Sequence, residues 1–200
     1  PSICNKLEEF FMSTSIKSTR RLAYIAILSA VSFLLMYVSF PLIPGANFLL
    51  LDFSILPVLV ALAIFDIKSA FAVLTLRTIL KLILHNGGVG TLIGMPMNYI
   101  ALGFFVLALG LTWKKKQTIK SYILGSLIGT LALTASMLIL NYVYAVPLYA
   151  KFAGFDIKAI LGLANYLFAM VLPFNLLEGL IFALGFYLLY LAIKPLIAKL

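Results

Sequence analysis

Long runs of apolar residues alternate with short polar connections along most of the chain. The runs lack the two-residue alternation of a membrane β-barrel, so helices are favoured. A bilayer core about 30 Å thick takes roughly 20 helical residues per crossing, and six runs come near that length. The predicted spans cover about 22–40, 52–65, 69–85, 91–113, 122–144 and 173–194.

Prolines mark several of the predicted boundaries. Pro41 ends the first run, Pro147 closes the fifth, and Pro173 opens the sixth at a first-turn position that favours proline. The second run is short for a crossing, and either Asp52 or Ser54 is placed to cap its first free amides. The longer connection 148–166 precedes the sixth run, and the apolar stretch 160–170 is expected to form a re-entrant or interfacial helix.

Composition supports a membrane protein. Hydrophobic residues make up 64% of the 200 positions and charged residues 10%, which is too little polar surface to cover a soluble domain. The net charge of +9 would also suit a nucleic-acid partner. However, the basic residues flank the apolar runs, as the positive-inside rule requires. We therefore expect a multi-pass protein of the cell membrane in contact with the lipid bilayer, and no nucleic-acid partner.

The distribution of Lys and Arg predicts the topology. Connections on one side of the predicted bundle hold only two basic residues, Lys151 and Lys158. Connections on the opposite side hold ten: Lys17, Arg20, Arg21, Lys68, Lys114, Lys115, Lys116, Lys120, Lys194 and Lys199. This asymmetry predicts an all-α membrane protein, a single bundle of six transmembrane helices with both termini in the cytoplasm. Met12 resembles a natural start, so we expect residues 1–11 to be a remnant of expression and residues 12–200 to form one substrate-binding domain.

Several kinds of site are absent from the sequence. No phosphate-binding Gly-x-x-x-x-Gly-Lys-Ser/Thr loop occurs. One histidine, His85, and one cysteine, Cys4, cannot build a metal site or a Cys-His nucleophile. We therefore expect no catalytic residues, no metal and no cofactor, and the chain is not predicted to be an enzyme.

Ionisable residues inside the predicted spans are costly and usually face the bundle interior. Arg77 and Lys81 lie four residues apart on the third span and so share a helix face, and Glu178 lies near the start of the sixth. Either Lys81 or Arg77 pairs with Glu178 to fix helix packing, or these groups form a polar wall of a solute pocket. Lys81 is the better pocket candidate because Arg77 lies deeper.

Three asparagines occur towards the outer halves of three spans. Asn98, Asn141 and Asn175 each carry an amide donor and a carbonyl acceptor. They either converge on a planar ligand with alternating donors and acceptors, or each joins helices by a bond of about 0.6 kcal/mol. Tyr144 lies close enough in sequence to stack on such a ligand or bond to it.

Small residues recur at four-residue spacing on two spans. The pairs are Ala26 with Ala30 on the first span, and Gly125 with Gly129 on the fifth. Such spacing lets another backbone approach the helix closely. Packing inside the bundle is the common use, but the first span could instead present its small face to a partner subunit.

Several segments resemble the substrate-capture (S) components of energy-coupling-factor (ECF) vitamin transporters, specifically the riboflavin-binding ones. The resemblance covers nearly all of residues 12–200. It rests on Arg-Arg-Leu-Ala before the first span with its Ala26/Ala30 pair, and on three further segments: Leu-Asp-Phe-Ser-Ile-Leu-Pro at 51–57, Leu-Lys-Leu-Ile-Leu-His-Asn-Gly-Gly at 80–88 and Leu-Pro-Phe-Asn at 172–175.

The resemblance implies six helices, a pocket near the outer face, and a lid formed by the loop between spans one and two. It also implies a transmembrane coupling subunit and two ATPase subunits as partners, with Ala26 and Ala30 on the side that faces the coupling subunit. The ligand-binding residues then expected are Asp52, Lys81, Asn98, Asn141, Tyr144, Asn175 and Glu178. Relatives often carry lysine where this chain has Glu178, which is a departure from the family pattern.

The expected function is uptake of riboflavin, which is the transported ligand and not a cofactor. Riboflavin has an uncharged ring system with a uracil-like edge, so it needs amides and apolar walls more than charges. The alternatives are an S component for another vitamin, or a self-sufficient carrier or channel that uses Arg77, Lys81 and Glu178 as an ion pathway.

Overall fold

The protein is described by a computed structural model that covers residues 3–197, with side chains described from Ser18 to Ile197. Most of this range is helical. The helices are α1 (Ile3–Leu35), α2 (Ile55–Ile64), α3 (Ile67–Leu84), α4 (Val89–Thr112), α5 (Ile119–Leu140), α6 (Val146–Phe152), α7 (Ile157–Leu161) and α8 (Leu172–Ile197). Two strands, β1 (Ser39–Pro41) and β2 (Leu50–Asp52), pair antiparallel.

Two π-helical segments extend the last long helices. The first π segment, Asn141–Ala145, joins α5 to α6 so that 119–152 is one continuous helix, and the second, Asn165–Val171, leads directly into α8. The sequence predicted that Pro147 closes the fifth span, and this was wrong because the helix continues through it. The sixth span was predicted to begin near Pro173, and α8 does begin at Leu172, although the π segment precedes it. Pro147 instead lies in the first turn of α6, directly after the π turn. A proline is tolerated there because an amide in the first turn of an α-helix has no partner within that helix, so the missing N–H breaks no bond of α6.

The connection between α1 and α2 is more ordered than the sequence indicated. Its stem is a short hairpin in which Ser39 pairs with Asp52 and Phe40 with Leu51. The Asp52 carboxylate accepts a hydrogen bond from the Ser54 amide at 2.8 Å, whereas the Ser54 side chain makes no capping bond. Of the two predicted caps, it is thus the Asp52 side chain that accepts a hydrogen bond from a backbone amide at the start of α2.

Helix α2 lies in the middle of the described bundle and contacts α1, α3, α4 and α8. Helix α5 packs closely between α4 and α8. A Cβ atom added at Gly129 would lie 3.0 Å from the Phe105 ring, and one at Gly125 would collide with the Thr112 hydroxyl. The Gly125/Gly129 pair therefore serves packing inside the bundle.

Four described helical stretches are long and apolar enough to cross a membrane: Ser18–Leu35, Val89–Thr112, Ile119–Phe152 and Asn165–Ile197. The other two predicted spans correspond to α2, which has 10 residues, and to α3, which has 18 residues. Helix α3 carries Lys68, Arg77 and Lys81. Its charges, and the shortness of α2, make these two helices less typical of isolated membrane spans.

Candidate functional site

A cavity of about 460 Å³ opens between the loop 42–49, α4, the α5–α6 helix and the segment before α8. Its volume lies within the range of small-molecule sites. Most of the lining is apolar, with a few polar groups. The residues that line it are Phe48, Leu49, Gly94, Met97, Met137, Asn141, Ala145, Tyr149, Ala153, Phe155, Ile157 and Tyr166.

The two π segments supply the central polar pair of the cavity. Asn141 begins the first π segment and Tyr166 lies in the second, and both are buried. The Tyr166 hydroxyl donates to Asn141 Oδ1 at 2.5 Å, and Asn141 Nδ2 donates to the Met137 carbonyl at 2.8 Å. π turns inside α-helices often occur at functional sites. Here they bring one polar side chain from each helix to the same cavity wall.

The loop 42–49 forms one wall of the cavity. Ala46 is fully buried and anchors the loop, while Phe48 and Leu49 line the cavity. The Phe48 ring lies 6.0 Å from the Tyr166 ring, measured between centroids. Because the hairpin β1–β2 holds both ends of the loop, its aromatic residue is presented to the cavity across a short and ordered segment.

Asn175 is fully buried near the start of α8 and is only half satisfied. Its Nδ2 donates to the Val171 carbonyl at 2.7 Å, but no described residue bonds to its Oδ1 atom. Buried polar atoms normally have a partner. An unsatisfied acceptor one turn after the second π segment is therefore a candidate contact for a ligand or an ordered water.

Arg77 is the centre of a second buried polar cluster. Its Nη1 donates to Ser54 Oγ and its Nη2 to Asn98 Oδ1, each at 2.6 Å, while Nε has no described partner. Ser54 in turn accepts a bond at its carbonyl from the Ser32 hydroxyl at 2.5 Å. These bonds join α1, the start of α2, α3 and α4.

Two carboxylates act on this arginine electrostatically. Asp52, which is partly exposed, and Glu178, which is buried, both exert Coulombic attraction on the Arg77 guanidinium. Among the side chains described, however, the ion pair found within 4.0 Å is Arg21–Asp66. A direct pair between Glu178 and either Arg77 or Lys81, which was one of the two alternatives, is thus not formed among these side chains.

Lys81 lies outside the described cavity wall, as does Arg77. Its Nζ is 2.6 Å from His85 Nδ1 at an exposed position, and it lies 5.5 Å from the centre of the Tyr37 ring. Asp52 attracts it electrostatically. Lys81 therefore belongs to the rim where α3 meets the end of α1.

Of the seven predicted ligand-binding residues, Asn141 alone is part of the cavity wall. Asn98 follows the wall residue Met97 but turns to Arg77. Tyr144 precedes the wall residue Ala145 and packs with Met97. These two residues support the wall without forming it.

Sequence reasoning missed most of the apolar wall and its tyrosines. Met97, Met137, Tyr149 and Tyr166 resemble ordinary residues of a buried helix face when only spacing is considered. Tyr166 carried one weak signal, since it falls in a connection that was otherwise expected to lie at the membrane surface.

Ala26 and Ala30, the residues predicted to face a partner subunit, are exposed on α1.

Comparison with known proteins gives a consistent set of relatives. Residues 20–190 match the family model described as "ECF transporter, substrate-specific component". The chain is 65% identical to "Riboflavin transporter RibU" of Streptococcus thermophilus, over 96% of this chain and 89% of that protein. It is 39% identical to the protein of the same name in Lactococcus lactis, over 88% and 94% respectively.

More distant similarity agrees with these matches. "Riboflavin transporter FmnP" of Bacillus subtilis is 31% identical over 88% of this chain and 93% of its own length. A solved structure described as "Structure and mechanism of the S component of a bacterial ECF transporter" superposes with a TM-score of 0.74 at 29% identity. The superposition covers 90% of this chain and 98% of that one.

Proposed function

Because the chain belongs to the substrate-specific components of ECF transporters, we propose that it captures riboflavin in the cavity beneath the loop 42–49 for uptake across the cell membrane. The similarity to several proteins named riboflavin transporters, one at 65% identity, is the observation that carries this assignment. The chain acts as a binding subunit and not as an enzyme.

The proposed topology has six transmembrane helices, with α2 and α3 completing the bundle and both termini in the cytoplasm. The ten-to-two distribution of basic residues supports it. The loop 42–49 and its cavity then lie towards the outside, where a scarce solute is captured. The short α2 is compatible with this arrangement because its neighbours, and not lipid, surround it.

The cavity suits a flat and mostly uncharged ligand. Phe48, Met97 and Met137 offer apolar contact to the faces of an isoalloxazine ring system. Asn141 in the cavity wall offers amide bonds to its pyrimidine edge. Asn175 is fully buried outside the described lining, and its unpaired Oδ1 would reach the ligand only if the segment before α8 shifts on binding. The Asn175 acceptor would take an N–H of the ligand, which removes the penalty of a buried unsatisfied atom.

The remaining predicted site residues are assigned supporting roles. Asp52, in strand β2, shapes the base of the lid formed by the loop 42–49. Lys81 lies nearby, where α3 meets the end of α1. Asn98 and Tyr144 hold the walls contributed by α4 and the first π segment. Glu178 is buried within electrostatic range of Arg77 but forms no direct ion pair with it in the described part of the chain.

We further propose that the chain works with a transmembrane coupling subunit and two ATPase subunits. Exposed Ala26 and Ala30 on α1 give a flat surface on which a partner helix could pack closely. As the family resemblance implies, release then follows toppling of the whole subunit within the complex. ATP hydrolysis is assigned to the ATPase subunits, since this sequence contains no phosphate-binding loop.

The first experiment measures the ligand directly. Protein purified from cells fed riboflavin should carry flavin absorbance, and the apoprotein should quench flavin fluorescence on titration. Colourless protein with no quenching would refute the assignment. Vesicles that contain this chain alone should bind riboflavin without accumulating it, whereas a self-sufficient carrier would accumulate it without partners or ATP.

A matched pair of variants tests the site. Asn175→Ala should weaken riboflavin binding about tenfold or more, because it removes a buried acceptor worth roughly 1–3 kcal/mol. Asn165→Ala is the control, since Asn165 is exposed and bonds to the Leu161 carbonyl. Equal affinities of the two variants would contradict the proposed contact at Asn175.

A further inference from the structure

A second cavity, of about 690 Å³, lies at the other end of the bundle from the riboflavin site. It is formed between the membrane-crossing part of α1 and the end of α2. Its lining residues are Arg20, Arg21, Ala23, Tyr24, Ile27, Ile64 and Phe65. The proposed transport function uses none of these residues.

The surroundings of this cavity are strongly basic. The Arg21–Asp66 pair joins the start of the membrane-crossing part of α1 to the α2–α3 connection. The bond from Lys114 Nζ to the Ala63 carbonyl, 2.6 Å long, joins the residues after α4 to the end of α2. Exposed Lys68, Lys115 and Lys116 lie in the same connections. Asp66 is the acidic residue of these connections, so cations outnumber acidic groups at this end.

The two arginines of the cavity differ in what they can still bind. Arg21 donates from Nη2 to both oxygens of Asp66, at 2.8 and 2.9 Å, and its charge is largely compensated. Arg20 is exposed, and no described residue pairs with it. A vacant guanidinium at the mouth of a cavity is suited to a phosphate group, which it can bind through two parallel hydrogen bonds.

The interior of the cavity has the opposite character. Ala23, Ile27 and Ile64 are apolar, and Ile27 is 61% exposed on a helix that crosses the membrane. Tyr24 packs against Phe65 with 5.8 Å between ring centres. Aromatic residues of this kind are enriched at the level of lipid headgroups. The cavity thus changes from cationic at Arg20 to apolar at Ile27 over about two helical turns.

We propose that this cavity is a binding site for an anionic phospholipid, with the phosphate on Arg20 and the first part of an acyl chain along Ala23, Ile27 and Ile64. The charge selects an anionic headgroup over a zwitterionic one, and the apolar floor selects a lipid over a free phosphate. Basic pockets at the ends of transmembrane helices are known to take such headgroups. The site would anchor the beginning of the first span at the membrane surface.

Native mass spectrometry of the full chain, titrated with phosphatidylglycerol or with phosphatidylcholine of the same acyl chains, tests the site. Arg20→Gln should raise the Kd for phosphatidylglycerol about fivefold, as expected for one cation near an anionic headgroup. Lys116→Gln is the matched control because it removes a charge from the same end but outside the cavity. Glycerol 3-phosphate at millimolar concentration should not compete, since it has no acyl chain.

A steric pair provides the second arm. Ala23→Phe should fill the cavity and abolish the preference for phosphatidylglycerol, whereas Leu22→Phe, at a neighbouring position outside the lining, should preserve it. Equal losses in Arg20→Gln and Lys116→Gln would mean general surface attraction and would overturn the proposal. Unchanged phosphatidylglycerol binding in Ala23→Phe would also overturn the proposal, because the lipid would then not occupy this cavity and the cavity would be left to another occupant, such as a segment of another protein. Riboflavin affinity, measured in parallel, reports on folding in every variant.

Discussion

Replacing Arg77 should be far more damaging than replacing its neighbour Lys81, although both are cations on one helix. Arg77→Met keeps most of the side-chain volume but removes the two bonds to Ser54 and Asn98. Hydrogen bonds to charged groups are each worth about 1.5–3 kcal/mol.

The expected loss is therefore roughly 3–5 kcal/mol of unfolding free energy for the two bonds together. Lys81→Met should cost about 1 kcal/mol or less, because its contacts with His85 and Tyr37 are exposed. Reversible unfolding of the detergent-solubilised protein, followed by circular dichroism, measures both. Arg77→Lys should resemble Arg77→Met, since an ammonium cannot bond to both partners in the geometry of a guanidinium.

Ligand binding separates this role from simple stability. Because Arg77 ties the start of α2, directly after the stem of the lid, to α4, its loss should accelerate riboflavin dissociation more than it slows association. Asn98→Leu, which removes one of the two bonds, should show part of the same effect. The reasoning fails if Arg77→Met and Lys81→Met unfold at the same denaturant concentration, or if the dissociation rate of Arg77→Met is unchanged.

The arginine also illustrates what the sequence could not resolve. Spacing placed Arg77 and Lys81 on one face of a helix, and depth alone ranked the shallower Lys81 as the better pocket residue, but neither residue lines the described cavity. The decision depends on what lies opposite each side chain, here Ser54 and Asn98 on other elements. Such contacts join residues more than 20 positions apart, and no local pattern encodes them.

The boundaries of the helices show the same limit at the level of the backbone. Apolar runs identified the long helices well because lipid demands continuous helical stretches. Pro147 was expected to end a span, but the preceding π turn changes the bonding register, with the Val146 amide bonding to the Asn141 carbonyl. A π turn has no clear sequence signature. The sequence therefore identified Asn141 as a candidate site residue, but it could not predict which way the π turn would orient that side chain.

Two further predictions follow from single contacts. Tyr166→Phe should weaken riboflavin binding by a few-fold and leave folding nearly intact, because the side-chain oxygen Oδ1 of Asn141 loses its hydrogen bond and the amide can rotate in the cavity. Isothermal titration against wild type measures this effect, and an unchanged Kd would contradict it. Burial acts to raise the pKa of Asp66, but hydrogen bonds from Ser69 and the charge and bonds of Arg21 outweigh it and hold the pKa below its usual value. A carboxylate with a depressed pKa in the folded protein stabilises the fold above its unfolded-state pKa of about 4, and this contribution disappears as the pH falls through the lower folded-state value. The stability difference between wild type and Asp66→Asn should therefore be largest at neutral pH, shrink towards pH 3, and also shrink in 1 M salt because the pair is half exposed. A difference that grew on acidification would show that the folded protein raises the pKa of this carboxyl group instead.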